Sequence, residues 1–338
     1  MRKLASIQKI RALEPIEGAD AIEKATVLGW QLVVKKGDYQ VGDLCIYVEI
    51  DSILPEKEEY EFLRTKNFRI KTIRLRGQIS QGICFPLSFL PANFEVIEDS
   101  DCSEALGVIK YEMPIPAHLA GLVKGPFPSF IPKTDETRIQ VLQNLLDKYE
   151  GTKCYISEKL DGSSATFYLK DGEFGVCSRN LELVEDEKNT FWKVAKTLNL
   201  EEKLKSLNRN YALQGELVGE GIQSNKLNIT GQTVFFFNAF DIDNYRFVSF
   251  EELKNIIQTL DLQLVPILSE EYLLENNIPE IIEKSKIKTS LNPKAWAEGI
   301  VIRPLIETSD REFTNELEFG GRVSFKAINP EFLIKFNE

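Results

Sequence analysis

A proline-rich stretch at residues 110–135 separates two regions of the chain that have different sequence patterns. It holds five prolines, and proline can continue neither a helix nor a central strand, so few regular elements are expected there. Its many Phe, Ile and Leu side chains indicate a packed connector. Because a domain usually contains roughly 100–200 residues, the 338 residues of the chain favour two domains.

The first hundred residues have the pattern of an all-β domain. Short runs rich in β-branched and aromatic residues are separated by Gly37, Gly42, Gly77 and Gly82. The runs are ATVLGWQLVVKKG, DLCIYVEID, RIKTIRLRG and GICFPLSFL. Several short strands with turn residues between them predict a small barrel or sandwich.

The second region mixes strand and helix periodicities. ETRIQVLQNLLDKYE and NTFWKVAKTLNLEEKLKSL repeat apolar residues at helical spacing, which predicts helices. Strand-like runs are more numerous, and several are hairpin-like, so we expect an antiparallel α+β domain rather than a doubly wound one. Neither GxGxxG after a strand nor GxxxxGK[ST] occurs, so the standard nucleotide-binding loops are absent.

Composition excludes several classes of protein. The five cysteines are scattered without CxxC spacing, which makes a disulfide framework or a zinc site a poor interpretation. His118 is the single histidine, so histidine-centred catalysis is not expected. No apolar run approaches the roughly 20 residues of a membrane helix, and the N-terminus lacks the apolar core of a secretory signal. We expect a reduced, cytoplasmic protein.

Charge is spread unevenly along the chain. The net charge of −11 argues against non-specific coating of nucleic acid, but residues 1–110 carry a net charge of only −2 and the remainder −9. One window without acidic residues forms what we call the basic strip: Arg64, Lys66, Arg69, Lys71, Arg74 and Arg76.

Lys159 is the strongest candidate for chemistry. It ends an apolar run and is followed by Asp161 and Gly162. A desolvated lysine with a lowered pKa can act as a nucleophile. The alternative is a solvated lysine beside an ordinary Asp-Gly turn.

Other polar residues at strand ends and centres are candidates for ligand binding. Arg179 offers a planar fork of donors to a ribose or phosphate, and by strand alternation Phe237 shares a face with residues 235 and 239, where it could stack on a base. The remaining candidates are Glu216 in GEL, Glu298 in EGIV and Lys326 in SFK. The alternatives are a surface ion pair for Arg179, a place in the core for the phenylalanines and a solvated strand end for Glu298.

These segments, taken together, resemble a known superfamily. KLDG, SRN, GEL, FNAFD, EGIV and SFK occur in the order of the motifs of covalent nucleotidyltransferases, which comprise DNA ligases, RNA ligases and capping enzymes. The GSS ending, GELVGEGIQ and the lead-in FPSFIPKTDETR are similar to ATP-dependent RNA ligases of the fifth family, which carry an N-terminal OB domain. Ser164 stands where DNA ligases and capping enzymes have arginine, and the chain ends twelve residues after Lys326, which disfavours both.

The resemblance implies a fold and a division into domains. The fold class is α+β, with an antiparallel-sheet, ATP-grasp-like nucleotidyltransferase domain preceded by a small all-β OB barrel. The implied domains are a nucleic-acid-binding OB domain over residues 1–108, a connector over 109–135 and the adenylyltransferase domain over 136–338.

The resemblance also implies a mechanism and its ligands. Lys159 would attack the α-phosphate of ATP to give lysyl–AMP, and AMP would pass to an RNA 5′-phosphate that a 3′-OH then displaces. Mg²⁺ or Mn²⁺ would be held by Glu216 and Glu298, directly or through waters, with Asp161 nearby. The expected partner is RNA with 3′-OH and 5′-phosphate ends, at nicks or templated breaks, alone or in an RNA/DNA duplex.

The nucleotide contacts are implied residue by residue. Arg179 and Glu216 would contact the ribose, and Phe237 would stack on adenine. Backbone groups around Glu158 would read the adenine edge, while Lys326 and Arg138 would contact phosphate. The second lysine that many relatives have beside the SFK lysine is missing at Ser324 and Ile328, so that contact is absent or comes from Arg322.

Two predictions remain open to alternatives. The basic strip is the expected RNA-binding surface, with stacking by Tyr60, Phe62 or Phe68, and the alternative is an ordinary solvated hairpin. The alternative functions are a catalytically inactive RNA-binding protein on the same scaffold and a DNA ligase or capping-type enzyme.

Overall fold

The computed structural model describes residues 3–111 and 122–336. The chain divides into two compact units, one with residues 1–113, 139–144 and 330–338, and the other with 114–138 and 145–329. The units thus differ from the domain limits expected from the sequence, which stay predictions. His118 and connector residues 112–121 lie outside the described residues.

The first unit is built mainly from short strands. The strands are β1 (Ala5–Pro15), β2 (Ile22–Val27), β3 (Trp30–Lys35), β4 (Leu44–Val48), β5 (Ser52–Ile53), β6 (Ile73–Leu75), β7 (Gln78–Ser80), β8 (Ile83–Phe85) and β9 (Ile109–Lys110). The helices are α1 (Ser103–Leu106) and α7 (Pro330–Phe336), with 3₁₀ segments at Glu58–Lys66, Leu87–Phe89 and Ile139–Val141.

The long strand β1 organises the main sheet of this unit. The sheet is antiparallel in the order β3-β2-β1-β4-β8. The first part of β1, up to Lys9, pairs with β4, and the part from Ile10 onward pairs with β2, with a register shift between Ile10 and Ala12 just after the change of partner. Such a bulge bends a strand, which lets one strand serve two parts of a small barrel. Ile7, Trp30 and Tyr47 fill the core.

The second unit combines two larger sheets with helices. Its strands are β10 (Val123–Pro126), β11 (Thr137–Arg138), β12 (Lys153–Lys159), β13 (Ser163–Lys170), β14 (Glu173–Cys177), β15 (Leu181–Leu183), β16 (Tyr211–Gly219), β17 (Gln232–Asp241), β18 (Arg246–Phe247), β19 (Ile267–Leu273), β20 (Lys288–Thr289), β21 (Asn292–Trp296), β22 (Gly299–Pro304) and β23 (Phe325–Ile328). Its helices are α2 (Gln143–Tyr149), α3 (Thr190–Thr197), α4 (Leu200–Ser206), α5 (Phe250–Thr259) and α6 (Ile278–Lys284).

The strand pairing confirms the predicted antiparallel α+β class. One sheet has the order β10-β15-β14-β13-β16-β17-β18, and the other has the order β11-β23-β22-β12-β19. Every pair in the two sheets is antiparallel except β11 with β23. None of the helices in residues 3–111 and 122–336 has the length and hydropathy of a membrane span.

The described part of the connector is more regular than the sequence predicts. Val123–Pro126 forms β10, which pairs with β15 at the edge of the seven-stranded sheet. An edge position tolerates Pro126 because the missing N–H is not required by a further strand.

Both predicted helical segments are shorter in the structure than their periodicity suggests. In the first, Thr137–Arg138 is a strand and only Gln143–Tyr149 is α-helical. The second is interrupted at Asn199, which has a φ of 54° and separates α3 from α4. Asparagine adopts this left-handed conformation more readily than most residues, so it ends one helix before the next begins.

The main core of the second unit lies between the seven-stranded sheet and its helices. Side chains of α3, α4 and α5 pack on buried strand residues such as Phe167, Leu213 and Phe236. Phe236 is fully buried there, whereas Phe235 and Phe237 point to the other face of β17 and are partly buried. Phe235 and Phe237 thus share a face as expected, but the expectation for residue 239 is wrong. Ala239 packs in the core with Phe236, because an extra residue in the pairing with β16 shifts the alternation after Phe236.

We predict that Phe236→Ala destabilises the protein far more than Phe235→Ala does. Removing the fully buried ring should lower the free energy of unfolding by about 3–5 kcal/mol. The partly buried Phe235 should cost roughly half as much, because the solvent can occupy part of the space. Urea unfolding followed by circular dichroism measures both, and equal losses would contradict the assignment of faces.

Candidate active site

Lys159 lies at the end of β12, which runs between β22 and the edge strand β19 in the five-stranded sheet. Its backbone pairs with Gly299 of β22. Its ammonium contacts Glu298 at an Nζ–Oε2 distance of 2.6 Å, and the two side chains are only 23% and 18% exposed. The solvated-lysine alternative is therefore wrong, because Lys159 is held against a carboxylate in a largely buried setting.

Two glycines allow the backbone to close around this lysine. A Cβ at Gly162 would lie 2.4 Å from the Leu217 carbonyl oxygen, and one at Gly299 would lie 2.2 Å from the Ala327 carbonyl oxygen. Any larger residue would force these strands apart. Close packing therefore explains the glycines of the KLDG and EGIV segments, whether or not they lie in turns.

Glu216 completes a cluster of carboxylates around Lys159. It lies on β16, paired with Ser164 on one side and Phe235 on the other. Burial raises the pKa of Glu216 to about 8, with Glu298 and Asp161 adding to the rise while Lys159 opposes it. We call Asp161, Glu216 and Glu298 the carboxylate cluster.

The charge balance of the cluster also acts on Lys159. Burial alone would lower the pKa of Lys159, but Glu298 and Glu216 more than offset it, so the pKa is raised. A lysine with a raised pKa holds its proton at neutral pH and is a poor nucleophile. The cluster is thus anionic enough to keep Lys159 protonated until another cation reduces the negative charge.

Asp161 has a partner that sequence reasoning missed. Lys226 places its Nζ 3.1 Å from Oδ2 of Asp161, and both side chains are close to 10% exposed. Lys226 follows the short 3₁₀ segment Gln223–Asn225, next to the buried Leu227. A charged residue beside an apolar one in a loop has no periodicity, so no sequence pattern singles it out.

The carboxylate cluster has the chemistry of a cation site but not a full set of ligands. Within residues 3–111 and 122–336, no three His, Cys, Asp or Glu side chains are grouped closely enough to enclose a metal ion. Carboxylate oxygens are the donors that Mg²⁺ and Mn²⁺ prefer, and Mg²⁺ usually keeps several of its waters. Burial is the main cause of the raised pKa of Glu216, and the negative charges of Glu298 and Asp161 raise it further. The cluster therefore fits a hydrated cation held through waters.

Glu158 carries a buried oxygen without a partner. The side chain is 1% exposed, and Oε2 accepts the Ser290 N–H at 2.8 Å. The other oxygen, Oε1, is buried without a hydrogen bond. An unsatisfied buried acceptor is costly, so Oε1 is placed to accept a hydrogen bond from a ligand.

Phe237 lies at an irregularity of β17. The pairing with β16 passes from Asn238 directly to Phe236, which leaves Phe237 as the extra residue of a bulge. Its ring is partly buried beside Leu160 and Val218. Because the bulge removes its carbonyl from the ladder, that oxygen is available to Arg303, which donates to it at 2.9 Å.

Lys326 and Arg138 occupy neighbouring positions on adjacent strands. Lys326 on β23 pairs with Val301 of β22 on one side and with Arg138 of β11 on the other. The structure thus brings two of the predicted phosphate-contacting residues to one place, although they are far apart in the sequence.

Arg179 lies apart from these buried groups. It follows β14 in the turn before β15, and its side chain is 53% exposed. Its guanidinium forms an ion pair with Asp135. This partner belongs to residues 132–138, which we call the lead-in segment.

The residues of the lead-in segment contact several separate parts of the second unit. Pro132 accepts from Gln214, Lys133 donates to Asn180, Thr134 bonds Ser164, Asp135 pairs with Arg179, Glu136 accepts from Arg303, Thr137 donates to the Glu316 carbonyl, and Arg138 pairs in β11 with Lys326. Consecutive residues thereby join the segments that contain most of the predicted motifs. The sequence likeness of PKTDETR indicated its importance, but not these contacts.

The basic strip of the first unit is partly neutralised. It spans the end of the 3₁₀ segment and the β6–β7 hairpin rather than one strand. Half of its members pair with carboxylates: Arg64 with Glu56 and Glu61, Arg69 with Asp51, and Arg74 with Glu331. Lys66 and Arg76 are exposed.

The aromatic residues expected beside the basic strip differ in accessibility. Tyr60 and Phe68 are 1% and 5% exposed, and Tyr60 packs on Phe85 and Phe89. The expectation that they stack on bases is wrong, because their rings fill the core of the unit. Phe62 is 61% exposed and remains able to stack on a base.

Comparisons with known proteins agree with this arrangement. Residues 4–87 match an OB-fold domain family, and residues 152–328 match the RNA ligase family. An apo mutant of the RNA ligase of Naegleria gruberi is 36% identical, with 98% of each chain covered and a TM-score of 0.88. A mutant with ATP and Mn and a structure with PPi are each 37% identical over 98% of both chains, with TM-scores of 0.87. No curated protein sequence matches the chain.

This chain belongs to the RNA ligase family. The match confirms the predicted family and the order of an N-terminal OB fold followed by a ligase domain. The residues that the RNA ligase family match spans include Lys159, the carboxylate cluster, Phe237 and Lys326.

We predict a pH-dependent stability that depends on Glu216. Its pKa of about 8 in the folded ligase exceeds the ordinary value of 4.5, so the folded state binds this proton more tightly. The stabilising contribution is complete below about pH 4.5 and is lost as the pH rises through about 8. In a metal chelator, the thermal midpoint of the wild type should fall over this range, and Glu216→Gln should flatten the fall. Exposed Glu220→Gln is the control, and equal slopes in wild type and Glu216→Gln would contradict the shift.

Proposed function

We propose that this RNA ligase uses ATP and a divalent cation to join a 3′-OH to a 5′-phosphate of RNA, at nicks or templated breaks. The observation that carries the proposal is the ion pair of the largely buried Lys159 with Glu298, inside the carboxylate cluster. A lysine placed in this way can become a nucleophile when a cation offsets the carboxylates. Naegleria gruberi RNA ligase mutants with ATP and Mn are consistent with these ligands.

In the first step, AMP is transferred from ATP to Lys159. Its neutral amine attacks the α-phosphorus of ATP, a P–N bond forms, and the P–O bond to the β-phosphate breaks to release pyrophosphate. The amine must first lose its proton, which the neighbouring Glu298 carboxylate is close enough to accept. Mg²⁺ or Mn²⁺ at the carboxylate cluster would offset its negative charge and so favour the neutral amine.

In the next two steps, AMP moves to RNA and is displaced. A 5′-phosphate oxygen attacks the lysyl–AMP phosphorus, which breaks the P–N bond and forms a 5′–5′ pyrophosphate linkage. The 3′-OH then attacks the RNA phosphate, the phosphodiester forms, and AMP leaves with its phosphate. Each step exchanges one bond to phosphorus for another, so catalysis depends chiefly on positioning and charge.

Nucleotide recognition is assigned to groups around Lys159. Phe237 is proposed to stack on adenine, and the unpartnered Oε1 of Glu158 is proposed to accept a hydrogen bond from the adenine amino group. Lys326 and Arg138 are proposed to contact phosphate, which their pairing on adjacent strands supports. Glu216 and Arg179 are proposed to contact the ribose. For Arg179, this contact would compete with its present ion pair to Asp135.

The decisive experiment is the intact mass of the purified ligase after incubation with ATP and Mg²⁺. We expect the addition of one AMP, because Lys159 is the proposed nucleophile. The adduct should be lost in Lys159→Ala and kept in Lys153→Ala, which removes an exposed lysine at the start of the same strand. GTP should give no adduct, because the adenine contacts are specific.

The same preparation tests the end chemistry. The adenylylated ligase should seal nicked RNA with a 3′-OH, and a 3′-blocked strand should accumulate adenylylated RNA instead. If enzyme first stripped of bound AMP by pyrophosphate forms no adduct, the catalytically inactive RNA-binding alternative is the better account. Sealing of nicks made only of DNA at an equal rate would overturn the assignment to RNA.

The basic strip is proposed to contribute RNA contacts through its exposed members. Lys66→Ala and Arg76→Ala should each weaken binding of 5′-phosphorylated RNA and lower the slope of log affinity against log salt by about one. Lys36→Ala, an exposed lysine elsewhere in the unit, should leave the slope unchanged. Fluorescence anisotropy at several salt concentrations measures this, and equal slopes in all three variants would remove the strip from the interface.

Two further predictions remain as proposals. We retain domain limits near residues 108 and 135, which the family match from residue 152 onward does not address. We also propose a reducing, cytoplasmic location, which the free thiols of all five cysteines support.

A further inference from the structure

We propose that Arg303 is a positioning residue that holds Phe237 in register with the strand of Lys326. The inference rests on the proposed function, in which Phe237 stacks on the base and Lys326 contacts phosphate. Arg303 lies on β22, five residues after Glu298, and only 2% of it is exposed. No sequence pattern marked it, because an arginine within an apolar strand has no distinctive spacing.

The guanidinium of Arg303 is shared among groups from distant parts of the unit. It donates from Nε to Ser324 Oγ at 2.8 Å, from Nη1 to the Phe237 carbonyl at 2.9 Å and to the Tyr155 hydroxyl at 3.3 Å, and from Nη2 to Glu136 at 2.7 Å. Arginine can do this because its donors form a rigid planar fork.

These bonds link the two sheets that contain the proposed nucleotide contacts. Phe237 belongs to β17 of the seven-stranded sheet, while Ser324 directly precedes β23 of the five-stranded sheet. Because Ser324 and Lys326 are two residues apart in an extended segment, their side chains leave the same face. Arg303 therefore connects the base-stacking and phosphate-contacting sides through one side chain.

The hydrogen bond from Arg303 gives Ser324 a structural role. The sequence lacks a second lysine at Ser324, and Arg303 donates to the serine hydroxyl instead. Arg322, the other possible substitute, is engaged elsewhere: it pairs with both oxygens of Glu307 and donates to Asn238. Its guanidinium also lies 3.6 Å from the centre of the Phe247 ring.

Glu136 balances the charge that Arg303 brings into the interior. Burial raises the pKa of Glu136, but Arg303 and Arg322 outweigh this effect and hold the pKa below its ordinary value. Both members of the Glu136–Arg303 pair are thus charged and almost fully buried. Removing the charge of Arg303 would leave Glu136 unpaired and risk unfolding, so the test requires a variant that keeps the charge.

Arg303→Lys keeps the charge but cannot contact all four groups at once, because one ammonium lacks the fork of donors. We expect the KM for ATP in lysyl–AMP formation to rise about tenfold, as for the loss of one or two charged hydrogen bonds, with a smaller change in kcat. Selectivity for ATP over other nucleoside triphosphates should also fall, because Phe237 loses its fixed position.

Arg322→Lys is the matched control. It is a similarly buried arginine of the same region, but its guanidinium bonds Glu307 and Asn238 rather than Phe237 or Ser324. Its one contact with Ser324 is a backbone hydrogen bond, which Arg322→Lys keeps. We expect a similar fall in thermal midpoint with a KM for ATP within about twofold of the wild type. Ser324→Ala removes one of the Arg303 bonds and the bond between Ser324 and Glu136, while Arg303 keeps its other three partners. We expect a KM about threefold higher, with a fall in thermal midpoint smaller than that of either arginine variant.

The outcomes separate this inference from the proposed function. If the wild type forms lysyl–AMP and the two arginine variants change KM and selectivity equally, Arg303 has only a structural role. An unchanged KM in Arg303→Lys and Ser324→Ala would also overturn the inference. If the wild type itself forms no adduct, the proposed function fails first. If Arg303→Lys does not fold, Ser324→Ala still decides the question.

Discussion

The ion pair between Lys159 and Glu298 is the interaction on which the site depends. It joins the end of β12 to the residue before β22, and the adjoining glycines let the backbones approach closely enough for it to form. Glu298 pairs with Lys159 and Asp161 pairs with Lys226, while Glu216 is a third carboxylate beside them. Together the three raise the pKa of Lys159 against the effect of burial. The same carboxylates that hold the lysine thus also favour its protonated form. In the proposed mechanism, neutralising those carboxylates is the condition for attack on ATP.

The buried arginines Arg303 and Arg322 have a different role from the carboxylate cluster. Arg303 and Arg322 are buried and bonded to carboxylates and amides, so their charges are compensated inside the protein. Buried ion pairs add little stability by themselves because desolvation offsets their attraction. They do restrict geometry, since a planar fork bonded on several sides leaves few other arrangements. The site therefore has two parts. The negative charge of the carboxylate cluster is available to interact with a ligand, whereas the bonds of Arg303 and Arg322 hold the surrounding strands in place.

Much of the site could be predicted from the sequence, and the exceptions share a cause. Lys159, Glu216 and Glu298 belong to short motifs whose residues fold next to one another along strands. Lys226 and Arg303 were not singled out, because the resemblance assigns them no role and neither residue type nor spacing reveals their buried ion-pair partners. The prediction that Tyr60 and Phe68 stack on bases is wrong for a related reason. Whether Tyr60 and Phe68 face solvent depends on packing across the unit, and composition alone does not reveal it.

The lead-in segment joins motifs that are far apart in the sequence, because its residues bond to several of them. The sequence predicts connector up to residue 135 and helix from residue 136, yet in the structure the side chains of residues 132–138 bond to several strands and turns of the second unit. One short extended segment can do this because its side chains alternate in direction, so neighbouring residues reach different neighbours. Its Asp135 pairs with the exposed Arg179, whereas Glu136 pairs with the buried Arg303. The segment thus fixes the interior firmly and leaves its outer arginine in a solvated pair that a nucleotide can displace, since exposed ion pairs contribute little stability.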